Sequence, residues 1–195
     1  MPSLESTLLA FTMEPNVVST TSLATIPKRE RTDTTPKVRR DIYRCWKRVP
    51  AKLRQALEGL LTGKLPWPAY IFGGTGTGKT CAALLVFDEY VAMWCDAAQL
   101  AACCWQPEHV VWRQAKVMPL VIVDEVGTGT SDRDWLGLKK MADIRANMPT
   151  LWLSNLSPEQ LKATFDDRIF SRLCCGTVVE VTGPDQRFAR RIDHV

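Results

Sequence analysis

The stretch AYIFGGTGTGKT, residues 69–80, joins a short apolar run to a glycine-rich turn and the start of a helix. Gly73, four further residues and then Gly78, Lys79 and Thr80 match the pattern of a phosphate-binding loop in full. In such a loop the glycines let backbone N–H groups converge on phosphates, and the following helix adds partial positive charge. The alternative is a plain glycine-rich turn between a strand and a helix.

The loop side chains indicate which ligand the turn would hold. Lys79 is predicted to reach the β and γ phosphates of a nucleotide, and the Thr80 hydroxyl is predicted to ligate Mg²⁺. The residues predicted to bind the nucleotide here are Gly73, Gly74, Thr75, Gly76, Thr77, Gly78, Lys79, Thr80 and Cys81.

A second stretch, LVIVDEVG at residues 120–127, places two carboxylates at the end of an apolar run. Asp124 is predicted to hold the Mg²⁺ water shell, and Glu125 to orient and polarise an attacking water. Adjacent carboxylates also occur as simple surface caps of a strand, which is the alternative for this pair.

A third stretch, TLWLSN, ends in Asn155. Its neutral amide could hydrogen-bond a water between the γ-phosphate and Glu125. Alternatively, Asn155 only begins the turn before a helix at Pro158, a role that asparagine also fills well.

The order of apolar runs and helical patterns predicts an α/β fold. Candidate strands lie at residues 69–72, 91–95, 120–124, 150–154 and 177–181, and candidate helices at 78–90, 97–105, 132–146 and 158–174. Strands that read as continuous apolar runs between helices favour a five-stranded parallel sheet covered on both faces. The ligand of such a three-layer domain should bind beyond the carboxyl ends of the strands.

We predict three parts: a flexible tail at residues 1–36, a basic helical segment at 37–65 and the α/β domain at 66–195. The chain has 195 residues, 46% of them hydrophobic and 24% charged, which is typical of globular proteins and not of disordered or fibrous ones. Without a secretory signal or a long apolar run, the expected location is the cytoplasm. The seven cysteines contain no C-x-x-C spacing, so reduced thiols are expected rather than a metal cluster.

Positive charge is concentrated between Lys28 and Arg54, where eleven Lys or Arg face three Asp or Glu. Such a segment is typical of a surface that contacts nucleic acid phosphates or an acidic partner, although it can also be a solvated tail. Tyr43 and Trp46 lie among these basic residues and could stack on bases or pack into a core.

Four segments together carry a resemblance to a known family: GGTGTGKT, LVIVDEVG, LWLSNLSPEQL and DDRIFSRLCCGTVVEVTGPDQR. The chain resembles the AAA+ ATPases of the DnaC/IstB group, which includes bacterial and phage helicase loaders and transposition helper ATPases. The resemblance implies an AAA+ P-loop fold that binds and hydrolyses ATP with Mg²⁺. It also implies that Asn155 is sensor 1 and that Arg187 is sensor 2, which contacts the γ-phosphate.

The resemblance further implies an arginine finger in the helix of DRIFSRL, which reaches the ATP of a neighbouring subunit. Arg168 and Arg172 share one helix face, because they are four residues apart. The family position favours Arg172, with Arg168 as the alternative, and both could instead form an ordinary surface charge cluster. A finger acting in trans requires a head-to-tail homo-oligomer.

The resemblance therefore implies a DNA replication factor that loads a replicative helicase on DNA, most simply single-stranded DNA, in a bacterial or phage-infected cell. Two alternatives stay open: an IstB-like transposition helper that delivers a transposase, and a nucleotide-gated binding module without significant turnover. The chain ends eight residues after Arg187, so we expect no full helical lid domain. The Trp- and Cys-rich segment before LVIVDEV also departs from the family pattern, which puts any DNA-contacting loop there in doubt.

Overall fold

A computed structural model describes residues 26–29 and 49–186 of the chain. The predictions for Tyr43, Trp46 and Arg187, for most of the basic segment and for most of the tail lie outside the described residues.

The core of the domain is a five-stranded parallel sheet, as predicted. Its strands are β1 (Ala69–Phe72), β2 (Ala92–Asp96), β3 (Leu120–Val126), β4 (Thr150–Ser154) and β5 (Thr177–Glu180). They lie in the order β2-β3-β4-β1-β5, and every neighbouring pair is parallel. The three central strands are β3, β4 and β1, so their carboxyl ends meet at the middle of one sheet edge.

Helices cover both faces of this sheet. They are α1 (Ala51–Leu61), α2 (Lys79–Glu89), α3 (Ala97–Cys103), α4 (Val110–Val117), α5 (Asp132–Ile144), α6 (Pro158–Thr164) and α7 (Asp167–Cys174). Side chains alternate between the faces along each strand. In β3, Leu120 and Ile122 therefore pack with α1 and α2, whereas Val121 and Val123 pack with α3, α4, α5 and α7. The three-layer fold is confirmed.

One helical prediction was wrong, and one helix was missed. The single helix expected over residues 158–174 is two helices, because Phe165 leaves helical geometry at φ −109° and ψ −97°. Asp166 then caps α7 by accepting a hydrogen bond from the Ile169 N–H at 2.7 Å. Helix α4 was not predicted at all. It is held by the fully buried Trp112, whose indole N–H donates to the Cys103 carbonyl at 3.0 Å.

Residues 26–29, within the predicted flexible tail, lie against the domain. The Val91 N–H donates to the Pro27 carbonyl at 2.9 Å, and the Arg29 N–H donates to the Glu89 carbonyl at 2.8 Å. Ile26 is only 5% exposed and joins the core beside α1 and α2. For these four residues the prediction of flexibility was wrong, because one buried apolar side chain and backbone pairing hold them.

Arg145 holds the opposite edge of the sheet, where strands β3 and β4 begin. Its guanidinium is 1% exposed and donates to the Thr150 hydroxyl at 3.2 Å. Its other acceptors are backbone carbonyls, those of Ala115, Met118, Pro119 and Pro149. Burial lowers the pKa of Arg145 to about 10, so the group remains charged at neutral pH. No carboxylate pairs with it among the described residues.

Across residues 26–29 and 49–186, no helix combines the length and the apolar composition needed to cross a membrane.

Candidate nucleotide site

The glycine-rich loop, residues 73–78, lies at the carboxyl end of β1 and opens into a cavity of about 190 Å³. Besides this loop and the start of α2, the cavity is bordered by the end of β4, the strand beside β1, and by the end of β3, the next strand in the sheet. The lining residues are Thr75, Gly76, Thr77, Gly78, Lys79, Thr80, Cys81, Asp124, Glu125, Leu153, Ser154, Asn155 and Gln186. The structure therefore brings the three predicted motifs together at one place.

The glycines of the loop are required by its backbone path. Gly76 has φ +75° and Gly78 has φ +99°, a region that side chains with a Cβ atom rarely adopt. At Gly73 a Cβ atom would lie 2.1 Å from the carbonyl oxygen of Val181, the residue after β5, so there is no room for one. Thr77 closes the loop by donating its hydroxyl to the Gly74 carbonyl at 2.8 Å.

Lys79 is buried in this loop and is 7% exposed. Its ammonium donates to the carbonyls of Gly73 and Gly74 at 2.7 and 2.8 Å. It also donates to the Asn155 Oδ1 at 2.9 Å, which joins the loop to the end of β4. All three of these acceptors are neutral oxygens. A negatively charged phosphate oxygen is a stronger acceptor for the ammonium and could replace them.

Thr80 and Asp124 form the second contact across the site. The Thr80 hydroxyl donates to the Asp124 Oδ2 at 3.1 Å, and the Glu125 N–H donates to the Asp124 Oδ1 at 2.8 Å. Burial raises the pKa of Asp124, and these two hydrogen bonds act in the opposite direction.

This donor set fits Mg²⁺, which prefers oxygen ligands and keeps several waters. Only one carboxylate and one hydroxyl approach each other here, and within the described residues no group of three or more His, Cys, Asp or Glu could hold a metal by itself. These two side chains therefore fit a Mg²⁺ ion whose other ligands would be waters and nucleotide phosphates.

Glu125 lies at an irregular point of the sheet. Strand β3 continues two residues beyond the predicted end, and its pairing with β4 shifts between Val123 and Val126. Glu125 has φ +58°, which is uncommon for a residue other than glycine. The Thr128 hydroxyl donates to the Glu125 carbonyl at 2.9 Å and so supports this conformation. The shift puts the Glu125 side chain at the cavity instead of in the regular alternation of the strand.

Ser154 and Tyr70 support Asn155, and sequence reasoning missed both. The buried Ser154 hydroxyl donates to the Val126 carbonyl at 2.6 Å and accepts from the Leu156 N–H at 3.0 Å. The Tyr70 hydroxyl donates to the Leu156 carbonyl at 3.0 Å. Three hydrogen bonds therefore fix the residues on either side of Asn155.

The segment after β5 also borders the site. The Val181 N–H donates to the Phe72 carbonyl at 2.7 Å, and the Gln186 N–H donates to the Gly76 carbonyl at 3.2 Å. The Asp185 carboxylate fills the space that a Cβ atom at Gly76 would need. Sequence reasoning assigned no role to Asp185 or Gln186. The only signal was their position directly before Arg187, which lies outside the described residues.

The two candidate finger arginines lie on α7 and do not line the cavity of their own chain. Arg168 is exposed, whereas Arg172 is half-buried and pairs with Asp143, with 2.6 Å between its Nη1 and the Asp143 Oδ1. Ile169 and Leu173, on the other face of α7, are completely buried. The two arginines, which share one helix face in the sequence pattern, therefore differ in burial and in ion pairing.

Comparison with known proteins shows what this arrangement is similar to. No protein-family model matches the sequence, and no curated protein matches it. Solved structures do match. AMPPCP-bound DnaA from Aquifex aeolicus is 22% identical with a TM-score of 0.56, over 68% of this chain and 47% of that chain. DnaA bound to AMPPCP and single-stranded DNA is 22% identical with a TM-score of 0.57, over 77% of this chain and 51% of that one.

DnaI is 20% identical with a TM-score of 0.51, over 82% of this chain and 87% of that chain. This chain therefore spans about half the length of the DnaA chains and most of the length of DnaI. The DnaA that is bound to single-stranded DNA is a replication initiator. With its five-stranded parallel sheet and glycine-rich loop, this chain shares the three-layer α/β fold of these structures.

Proposed function

We propose that this protein binds ATP with Mg²⁺ and hydrolyses it slowly, as a DNA replication factor of the DnaC-like helicase-loader type. The observation that carries the proposal is the convergence of Lys79, the Thr80–Asp124 pair, Glu125 and Asn155 on one cavity beside the glycine-rich loop.

Each residue then has a chemical task. Lys79 exchanges its bonds to the Gly73 and Gly74 carbonyls for phosphate oxygens. Thr80 and Asp124 would hold Mg²⁺, which would neutralise charge on the phosphates. Glu125 accepts a proton from the attacking water, and Asn155 hydrogen-bonds that water while remaining attached to Lys79. Arg187 is proposed to contact the γ-phosphate from the segment that follows Gln186.

The ligands of two matching structures are consistent with this proposal. One DnaA carries AMPPCP, an ATP analogue, and another carries AMPPCP together with single-stranded DNA. We propose by analogy that this chain binds ATP and single-stranded DNA, that it acts in the cytoplasm, and that it recruits a replicative helicase. The basic segment from Lys28 to Arg54 is the proposed contact for DNA or helicase, and phosphate contacts would make DNA binding weaken steeply with salt.

We further propose that subunits assemble head to tail, with an arginine of α7 completing the neighbour's ATP site. Neither Arg168 nor Arg172 reaches the cavity of its own chain, which is what a residue acting on another subunit requires. Lys79 and Mg²⁺ leave charge on the departing γ-phosphate that such an arginine would stabilise.

The central test measures ATP binding and phosphate release separately. Glu125→Gln should retain ATP binding and lose phosphate release by about 100-fold or more, since positioned acid–base groups contribute about 10²–10⁴-fold. Lys79→Ala should lose ATP binding. If Lys79→Ala bound ATP as well as the wild type, the nucleotide site would be wrongly assigned.

The same experiment separates the ATPase from a nucleotide-gated module. In a module without turnover, phosphate release would already be at background and Glu125→Gln would leave it unchanged. The transposition alternative predicts a different ligand: ATP-dependent coating of double-stranded DNA in preference to single strands of the same length.

A further inference from the structure

Asp143 occupies an unfavourable position for an acid. It lies in the last turn of α5, where the helix dipole disfavours negative charge. Two cations offset this cost, and each takes a different oxygen. The Asp143 Oδ1 lies 2.6 Å from the Arg172 Nη1, and its Oδ2 accepts from Lys139 at 3.3 Å.

Both partners of the Asp143–Arg172 pair are attached to rigid supports. On the α5 side, Arg145 follows Asp143 by two residues and is fixed by the carbonyls described above. On the α7 side, Ile169 and Leu173 flank Arg172 on the helix and are fully buried. The ion pair therefore joins two groups that tertiary structure has already placed.

A second contact prevents α7 from turning relative to α5. The Trp135 indole N–H in the first turn of α5 donates to the Asp166 Oδ2 at 3.2 Å, and Asp166 caps α7. The two helices are thus joined near both ends of α7. This fixes the direction in which the Arg172 side chain leaves the helix.

The guanidinium retains donors for another ligand while it holds Asp143. An arginine has five N–H donors, and the contact of Arg172 with Asp143 is made by Nη1. Its side chain is 39% exposed, so the remaining donors can be reached from outside the chain. Arg168, one turn earlier, is exposed, and none of the described residues forms an ion pair with it. Immobilising such a side chain costs rotamer entropy, and for Arg172 folding has already met that cost.

We infer that Asp143 is a positioning residue: it holds Arg172, rather than Arg168, in the orientation that reaches the nucleotide of a neighbouring subunit. This inference rests on the proposed head-to-tail ATPase. It assigns the trans arginine and adds a residue that touches neither the nucleotide nor Mg²⁺.

The first test is the rate of the assembled protein. Asp143→Asn keeps the size of the side chain and removes its charge. It should lower kcat about 10-fold with KM for ATP within about 2-fold, since losing an interaction made only in the transition state lowers kcat and not binding. Asp143→Glu should recover part of the loss. The matched control is Asp167→Asn on α7, because Asp167 is 78% exposed and pairs with Lys162 instead.

The decisive test mixes variants. Glu125→Gln subunits carry an intact Arg172 and Asp143 but an inactive site. Mixed one to one with Asp143→Asn or with Arg172→Ala, they should restore about a quarter of the wild-type rate, since random head-to-tail assembly makes one interface in four productive. A mixture of Asp143→Asn with Arg172→Ala should be no faster than Asp143→Asn alone, because both lesions lie on the same side of the interface.

The mixtures test the role of Arg172 in trans separately from the role of Asp143. If Arg172→Ala with Glu125→Gln restores nothing, Arg172 does not act in trans, and the assignment fails at that step. If that mixture works but Asp143→Asn retains the wild-type rate, or complements Arg172→Ala, the role of Asp143 is overturned. Near-ultraviolet circular dichroism should show Asp143→Asn folded. If it is not, the glutamate variant decides, and a glutamate variant as slow as Arg172→Ala would contradict the inference.

Discussion

Two buried cations, Lys79 and Arg145, lie at opposite edges of the same sheet and differ in the groups to which they donate. Lys79 is 7% exposed at the carboxyl edge, and Arg145 is 1% exposed at the amino edge. Both donate to backbone carbonyls. The acceptors of Lys79 are two carbonyls of its own glycine-rich loop and the side-chain amide oxygen of Asn155. Those of Arg145 lie in separate chain segments that lead into strands β3 and β4.

The difference shows how the surroundings of a charge decide its role. The Lys79 bonds can be replaced by phosphate oxygens without moving a strand, whereas the Arg145 bonds cannot be replaced without separating the segments they join. A burial penalty of several kcal/mol is common to both cations. At the carboxyl edge the buried cation belongs to the proposed nucleotide site, and at the amino edge the hydrogen bonds of the buried cation join segments of the fold.

The largest effect should follow from Arg145→Ala. Four carbonyls and the Thr150 hydroxyl would lose their donor, so the free energy of unfolding should fall by about 3–5 kcal/mol. Urea unfolding measures this. Arg145→Lys should lose less, because it keeps a charge and three donors. At a temperature where the variants are folded, ATP affinity should be unchanged. A loss of stability under about 1 kcal/mol would contradict the assigned role.

Lys79→Ala should give the reverse pattern. ATP affinity should fall by about 100-fold, or about 2.7 kcal/mol, as expected for losing a charge-assisted hydrogen bond to phosphate. The free energy of unfolding should change by less than about 1 kcal/mol, since Lys79 borders the cavity and water there can replace it as the donor to its acceptors. Calorimetric titration with ATP and Mg²⁺ measures the affinity. Lys116→Ala, on α4, is the control and should bind ATP normally.

Asn155→Ala examines the link between Lys79 and the end of β4. Phosphate release should fall by about 10-fold, the effect of about 1.4 kcal/mol on a barrier, while ATP affinity changes less than about 3-fold. Single-turnover kinetics separate the two quantities. Equal losses in binding and in rate would mean that Asn155 only holds Lys79 in place.

The smallest effect should come from an exposed cation. The Lys28 ammonium lies 2.7 Å from Glu89, but the two side chains are 68% and 50% exposed. Lys28→Ala should therefore change the free energy of unfolding by no more than about 0.5 kcal/mol. Ile26→Ala should cost more, since that side chain is buried. If Lys28→Ala proved the more damaging of the two, the attachment of residues 26–29 would depend on charge and not on apolar packing.

Local sequence was sufficient to predict most of the fold. The apolar runs at 69–72 and 150–154 coincide with β1 and β4, and the glycine pattern after β1 predicted the loop and the start of α2. Such signals depend on neighbours within a few residues. Asp166 is a weaker local signal for the start of α7. The helical pattern over residues 158–174 looks continuous, so the capping role of Asp166 was not recognised.

The candidate site divides in the same way. The sequence by itself determined which side chains could carry the chemistry: Lys79, Thr80, Asp124, Glu125 and Asn155. Only the tertiary structure decided that Asn155 meets Lys79 across two strands, that Asp185 and Gln186 border the loop, and that Asp143 holds Arg172 but not Arg168. The reason is physical. Hydrogen bonds within a turn follow from residue spacing, whereas contacts between distant segments depend on strand order and helix packing, which spacing does not specify.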